Sequence, residues 1–224
     1  MAVFDKEALQ YDRWYTSALG KHVDDTETRC VLDLLKPTAG MLALDVGCGT
    51  GHFSFKLARM GCRVIGIDIS SEMLDLARKK ALCERLPVDF LFMDVSDLDF
   101  EDETFDAVVA ITSFEFLEKP GESFQEMFRV LKRNGSLLIG TINRDSPWGE
   151  MYEKKKASKE SVFHLAHLRT LDELKQIHPA GFTGSSECLF VPPDEEAAKI
   201  NEERERELSG SGRGGFVCAL WRKS

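Results

Sequence analysis

Apolar residues follow two rhythms along this chain of 224 residues. Short, nearly unbroken apolar runs at residues 42–46, 64–68, 88–93, 105–111 and 136–141 read as strands buried on both faces. Between them the apolar positions recur every three or four residues, which predicts helices over 53–60, 72–84 and 124–131. Gly61 stands where a helix C-cap belongs, and Lys132-Arg133-Asn134-Gly135 reads as the turn into the fifth strand. Strands alternating with helices predict a parallel sheet covered on both sides. Upstream, residues 5–36 read as helices with a break at Gly20, followed by a Pro37-Thr38-Ala39-Gly40 turn.

The alternation lapses after the fifth strand. Residues 144–168 mix aromatics and histidines with lysines and read as a cap segment. A helix over 171–177 follows, then a strand near 187–191 ended by Pro192-Pro193. The charged stretch 194–208 predicts a helix with a solvated face, residues 209–215 a turn, and residues 216–221 a last strand. The final two strands lack a regular crossover helix and suit an antiparallel pair at one edge.

The net charge of -9 disfavours nonspecific binding to nucleic acid, and no basic stripe interleaved with aromatics offsets it. No stretch has the length of a membrane span, and the first residues lack a basic-then-apolar signal pattern. A cytoplasmic protein without stable membrane insertion is expected. The six cysteines show no Cys-x-x-Cys spacing, so neither a disulfide framework nor a zinc cluster is predicted.

The strongest chemical signal is Leu-Asp-Val-Gly-Cys-Gly-Thr-Gly at residues 44–51, with Asp68 ending the next apolar run. Glycines at alternate positions let a strand end turn sharply and approach a ligand. A dinucleotide turn requires Gly-x-Gly-x-x-Gly, but the third glycine of that pattern, counted from Gly47, falls on His52. The pattern Asp-x-Gly-x-Gly-x-Gly instead resembles motif I of the class I S-adenosylmethionine (SAM)-dependent methyltransferases. Phe100-Glu101-Asp102-Glu103-Thr104 before the fourth strand, and Phe128-Arg-Val-Leu-Lys-Arg-Asn-Gly-Ser-Leu-Leu-Ile139, resemble further stretches of the same family. The likeness runs from about residue 31 to 220 and is most specific over 42–141.

That resemblance implies an α/β fold: a doubly wound, seven-stranded, mostly parallel sheet of Rossmann-like type, its last strand antiparallel, with N-terminal helices and a small cap. It implies one methyltransferase domain over 1–224, with helices at 1–36 covering the site, a SAM-binding core at 37–143, a cap at 144–170 and the rest of the sheet at 171–224. It places Asp45 near the methionine ammonium group, and Gly47, Cys48, Gly49 and Gly51 along the donor. Asp68 falls on the ribose hydroxyls, Ile69 and Met73 beside the adenine, and Asp94 and Val95 on the adenine edge. Ile111 and Thr112 fall beneath the sulfonium. The cofactor implied is SAM, with S-adenosylhomocysteine as product.

Methyl transfer from a sulfonium mainly requires alignment of nucleophile, methyl carbon and sulfur, so few dedicated catalytic side chains are needed. Glu115, His164 and His167 are candidate bases. Glu115 and Glu118 read more simply as exposed helix acids. His164 and His167 have metal-ligand spacing but no third ligand, so no metal is expected. The Asn/Asp-Pro-Pro-Tyr/Phe motif of amino-group methylating families is absent after the fourth strand, as is a Pro-Cys nucleophile, and Thr112 stands where catechol-type enzymes carry a metal-binding Asp. A small-molecule acceptor is therefore expected, under a roof of Tyr11, Trp14, Tyr15, Phe116, Trp148 and Tyr152. The large group that this chain resembles includes quinone-ring C-methyltransferases. The alternatives are an NAD-dependent oxidoreductase and a noncatalytic SAM-binding protein. Oligomeric state is not read from the sequence.

Overall fold

In a computed structural model, which describes residues 4, 12–158, 161–210 and 212–224, seven strands form one sheet. They are β1 (Leu42–Val46), β2 (Arg63–Asp68), β3 (Val88–Phe92), β4 (Phe105–Ile111), β5 (Leu131–Ile142), β6 (Phe182–Cys188) and β7 (Phe216–Arg222), in the order β3-β2-β1-β4-β5-β7-β6. The first five are parallel, and β7 lies antiparallel between β5 and β6. This is the doubly wound, mostly parallel sheet that the sequence pattern implied.

The helices are α1 (Ala18–Leu35), α2 (His52–Arg59), α3 (Ser71–Glu84), α4 (Pro120–Arg129), α5 (Pro147–Lys155), α6 (Leu171–Ile177) and α7 (Glu202–Leu208). One sheet face packs on α1–α3 through Val31, Leu57 and Leu74. The other packs on α4 and α6 through Phe124, Met127 and Leu174. Each face thus buries a continuous apolar layer, the main favourable term for a chain of this length.

Five elements depart from the sequence expectation. Gly20 does not break α1. It lies in the first turn, where an added Cβ would come within 2.0 Å of the Trp14 carbonyl oxygen, and the helix starts because the Ser17 hydroxyl accepts the Gly20 N–H at 3.0 Å. The predicted Lys132–Gly135 turn belongs to β5, as a bulge: Phe105 pairs with Leu131 but Ala107 with Ser136, and Asn134 adopts φ +63°. The helix before it accordingly ends at Arg129 and Leu131 is already strand.

The sixth strand runs over Phe182–Cys188 rather than near 187–191. Leu189 adopts φ +62° and ends it, and the Glu205 carboxylate accepts the N–H groups of Phe190 and Val191 at 2.9 Å each, in place of a ladder partner. In the charged stretch 194–208 only Glu202–Leu208 is α-helical, started by an Asn201 cap.

Candidate functional site

In a doubly wound sheet, ligands bind beyond the carboxyl ends of the strands where the strand order reverses. Here the reversal lies between β1 and β4. A cavity of about 560 Å³ opens at that place, within the ~300–1,000 Å³ usual for small-molecule sites.

The glycine turn shapes its floor. Gly47 and Gly49 have φ of +68° and +53°. A Cβ on Gly47 would fall 2.4 Å from the Ser113 Cβ, so the ends of β1 and β4 touch only because position 47 has no side chain. The Ser113 hydroxyl locks this contact by donating to the Val46 carbonyl at 2.7 Å. A Cβ on Gly49 would meet nothing within 4 Å and would project into open space. Both glycines line the cavity. Gly51, with φ +81°, lines neither the cavity nor the crevice beside it. Its absent Cβ leaves room for the rings of Phe55 and Phe90, and its role is packing at the start of α2.

Carboxylates stand at the neighbouring strand ends. Asp68 closes β2 and clamps two loops at once, its Oδ2 accepting the Gly49 N–H at 2.9 Å and its Oδ1 the Ser70 N–H at 2.8 Å. Ser70 in turn caps α3, its hydroxyl accepting the Met73 N–H. Ile69, half exposed, and buried Met73 line the cavity beside Asp68. Asp94 follows β3, accepts from the Ser96 N–H and hydroxyl at 2.8 Å each, and lines the cavity together with Val95.

A smaller crevice adjoins the cavity behind the turn and shares Gly47, Gly49 and Thr112 with it. Thr112 carries a strained φ of +48° at the junction. Asp45, Cys48 and Ile111 line the crevice and not the cavity. Asp45 is 2% exposed, and its Oδ2 accepts the Ser54 hydroxyl at 2.5 Å. Burial, helped by the nearby Asp68 charge, pushes its pKa up to about 7 against the Ser54 hydrogen bond. Burial and the same two acids push the Cys48 thiol well up, so its sulfur stays protonated and serves as bulk.

The predicted roof divides. Phe116 lines the cavity, edge-on to Phe4 with ring centroids 4.9 Å apart. Tyr15 stacks on His52 at 4.1 Å and lines the crevice. Trp14 is 40% exposed, packs edge-on against Tyr15, and lines neither space. Trp148 is buried as a core residue, its indole N–H donating to the Val191 carbonyl at 2.8 Å, and Tyr152 packs on Phe163. Both lie outside the site because α5 turns their rings into the seam between cap and sheet. Tyr11 lies outside the described residues.

Of the candidate bases, His167 lines the cavity and His164 does not; the His164 Nδ1 lies 2.8 Å from the Ser161 carbonyl. Glu115 is not an exposed acid. It is 1% exposed in a 3-10 turn, Phe114–Phe116, whose carbonyl at Glu115 accepts the His167 N–H at 2.7 Å. Among the described residues neither of its carboxyl oxygens has a hydrogen-bond partner, and burial pushes its pKa up to about 7. A folded carboxyl with a raised pKa holds its proton more tightly than the unfolded chain does. Its contribution to stability is therefore intact below pH 4.5, falls as pH rises towards 7, and stays lost above that. Glu115→Gln is expected to exceed the parent in stability at pH 8 by about 1–3 kcal/mol and to match it near pH 4, in urea unfolding. An equal difference at both pH values would contradict this.

Residues that the pattern did not single out also line the cavity: Met93 and Ser96 near the strand ends, and Lys119, Ser123 and Leu165 farther out. In the crevice they are Asp24, Glu27 and Thr28, all on α1. Only their place in the fold gathers them, since an acid on an amphipathic helix reads as a solvated position.

Carboxylates ring the turn, a setting unfavourable to a phosphate. The order of the strands is that of a doubly wound sheet with its ligand site at the switch point. The methyltransferase domain family matches residues 44–139. An uncharacterized protein of Methanocaldococcus jannaschii is 32% identical over 97% of each chain. A ubiquinone biosynthesis O-methyltransferase of Coxiella burnetii is 31% identical over 64% of this chain and 60% of its own, so the chain spans less than two thirds of that relative. Among solved structures, a SAM-dependent methyltransferase of Thermotoga maritima, described as a possible histamine N-methyltransferase, aligns over 99% of both chains with a TM-score of 0.76 and 27% identity. The chain belongs to the class I SAM-dependent methyltransferases, and its cofactor is S-adenosylmethionine.

Proposed function

We propose that this enzyme transfers the donor's methyl group to a small molecule held at the outer end of the cavity. The observation that carries this reading is the extent of the cavity. It continues past Asp68, Asp94 and Thr112 to Phe116, Leu117, Leu165 and His167, beyond the residues assigned to the donor. S-adenosylmethionine, when bound, supplies a methyl group on a positively charged sulfur. Asp68 would hold the ribose, Ile69, Met73, Asp94 and Val95 the adenine, and Gly47 and Thr112 the region around the sulfur.

The chain's own contribution is then alignment and exclusion of water, which account for much of the acceleration in a two-molecule displacement. Phe116, Leu117 and Leu165 give the acceptor an apolar seat. His167 stands where it would take a proton from an acceptor that must lose one. The apolar lining and the likeness to quinone-pathway methyltransferases favour an acceptor with an apolar ring. Among the described residues no helix is long and apolar enough to cross a membrane.

The test is transfer from donor labelled in the methyl group, over a cell extract separated into small molecules, nucleic acid and protein. Label is expected in the small-molecule fraction, with the product identified by mass. Label confined to nucleic acid or protein would reject the reading.

A further inference from the structure

We infer that Glu27 on α1 is the charged partner of the donor's α-ammonium group, and that this helix selects donors carrying an intact amino-acid head. The inference rests on the placement of the nucleoside along Asp68 and Asp94. Four observations lead to it.

The nucleoside end of the cavity and the small crevice meet at Gly47, Gly49 and Thr112. A donor with its sugar at Asp68 and its sulfur over the turn can therefore run its methionine arm into the crevice. The crevice, about 60 Å³, matches a short polar group rather than a ring.

Three carboxyl groups face that crevice: Asp24, Glu27 and Asp45. Two of them are already occupied. Asp24 binds the Lys56 ammonium group and lies 2.7 Å from the His52 Nε2, and Asp45 accepts the Ser54 hydroxyl. Lys56 is also committed to the Thr28 hydroxyl. Glu27 has no hydrogen bond or ion pair among the described residues, so a carboxyl group at the wall of the crevice is left without a cation.

The electrostatics agree. Burial first, then the charges of Asp24 and Glu115, push the Glu27 carboxyl well above its ordinary range, and Lys56 offsets only part of this. An acid destabilised in this way gains most when an ammonium group arrives beside it. Asp45 is the weaker candidate, because it is sealed beneath the turn and already satisfied by Ser54.

The test compares two ligands by calorimetric titration: S-adenosylhomocysteine, and 5′-methylthioadenosine, which keeps the nucleoside and sulfur but lacks the amino-acid head. Glu27→Gln is expected to weaken S-adenosylhomocysteine about ten- to thirty-fold, as loss of one charge-assisted contact does, and to leave methylthioadenosine within about two-fold. The unmodified enzyme carries a second test: it should bind S-adenosylhomocysteine more tightly than the form lacking only the α-amino group, and Glu27→Gln should erase that preference. Equal weakening of both nucleosides in the variant, or an unchanged preference, would overturn the role of Glu27. Binding of neither nucleoside by the unmodified enzyme would overturn the nucleoside placement and the role of Glu27 with it.

Discussion

Asp68→Ala is expected to weaken S-adenosylhomocysteine by about 2–4 kcal/mol, roughly 30- to 1,000-fold. Two losses combine. In the proposed placement the carboxylate at the end of β2 would accept both hydroxyls of a ribose, and such charge-assisted bonds are stronger than neutral ones. The same carboxylate holds the N–H groups of Gly49 and Ser70, so its removal also releases the glycine turn and the start of α3. Asp68→Asn keeps the shape and one acceptor oxygen, and should lose less. Calorimetry with S-adenosylhomocysteine and with methylthioadenosine checks the assignment: both should weaken, in contrast to the selective effect expected at Glu27. Unchanged affinity would remove Asp68 from the ribose.

Gly47→Val strikes the contact on which the cleft is built. The position has φ +68°, a region that costs a residue with a Cβ about 1–2 kcal/mol, and the new Cβ would start 2.4 Å from that of Ser113. Relief requires β1 and β4 to part at their carboxyl ends, which breaks the Ser113–Val46 hydrogen bond. Overpacking adds about 1–3 kcal/mol, so the variant should lose roughly 2–5 kcal/mol of stability. At ~2–4 °C per kcal/mol for a chain of this size, the melting temperature should drop by about 4–20 °C, and binding of S-adenosylhomocysteine should vanish. Calorimetric melting and titration of the same sample measure both. A variant that melts with the parent and binds normally would mean that the two strand ends do not meet as described.

Sequence reading succeeded where one segment carries both the fold signal and the chemistry. Asp68 ends β2 and Asp94 stands two residues past β3, so the pattern that marks a strand also marks the residues near its carboxyl end. Both line the cavity, while Asp45, inside β1, lines the crevice. Reading failed where long-range packing decides. Trp148 and Tyr152 are aromatic in either setting, and only the path of α5 turns them into the seam. Glu115 belongs to a polar-looking stretch, yet the 3-10 turn buries it. Glu27 looks like any acid on a helix until α1 is laid across the glycine turn. β6 was misplaced because Phe190 and Val191 have strand-forming side chains while Glu205 takes their amides.

The last strand in sequence sits inside the sheet, with β5 on one side and β6 on the other. This has a consequence for synthesis, since chains emerge from the ribosome in order and N-terminal parts begin to fold first. Every strand of the donor cleft leaves the ribosome early, but until residues 216–222 emerge β5 keeps a raw edge and β6 has nothing to pair with. The nascent enzyme thus passes through a stage in which its cofactor platform is largely assembled while one flank of the sheet is open to pairing with neighbouring chains, a hazard that closes only as the final hydrogen-bonded ladder snaps into register.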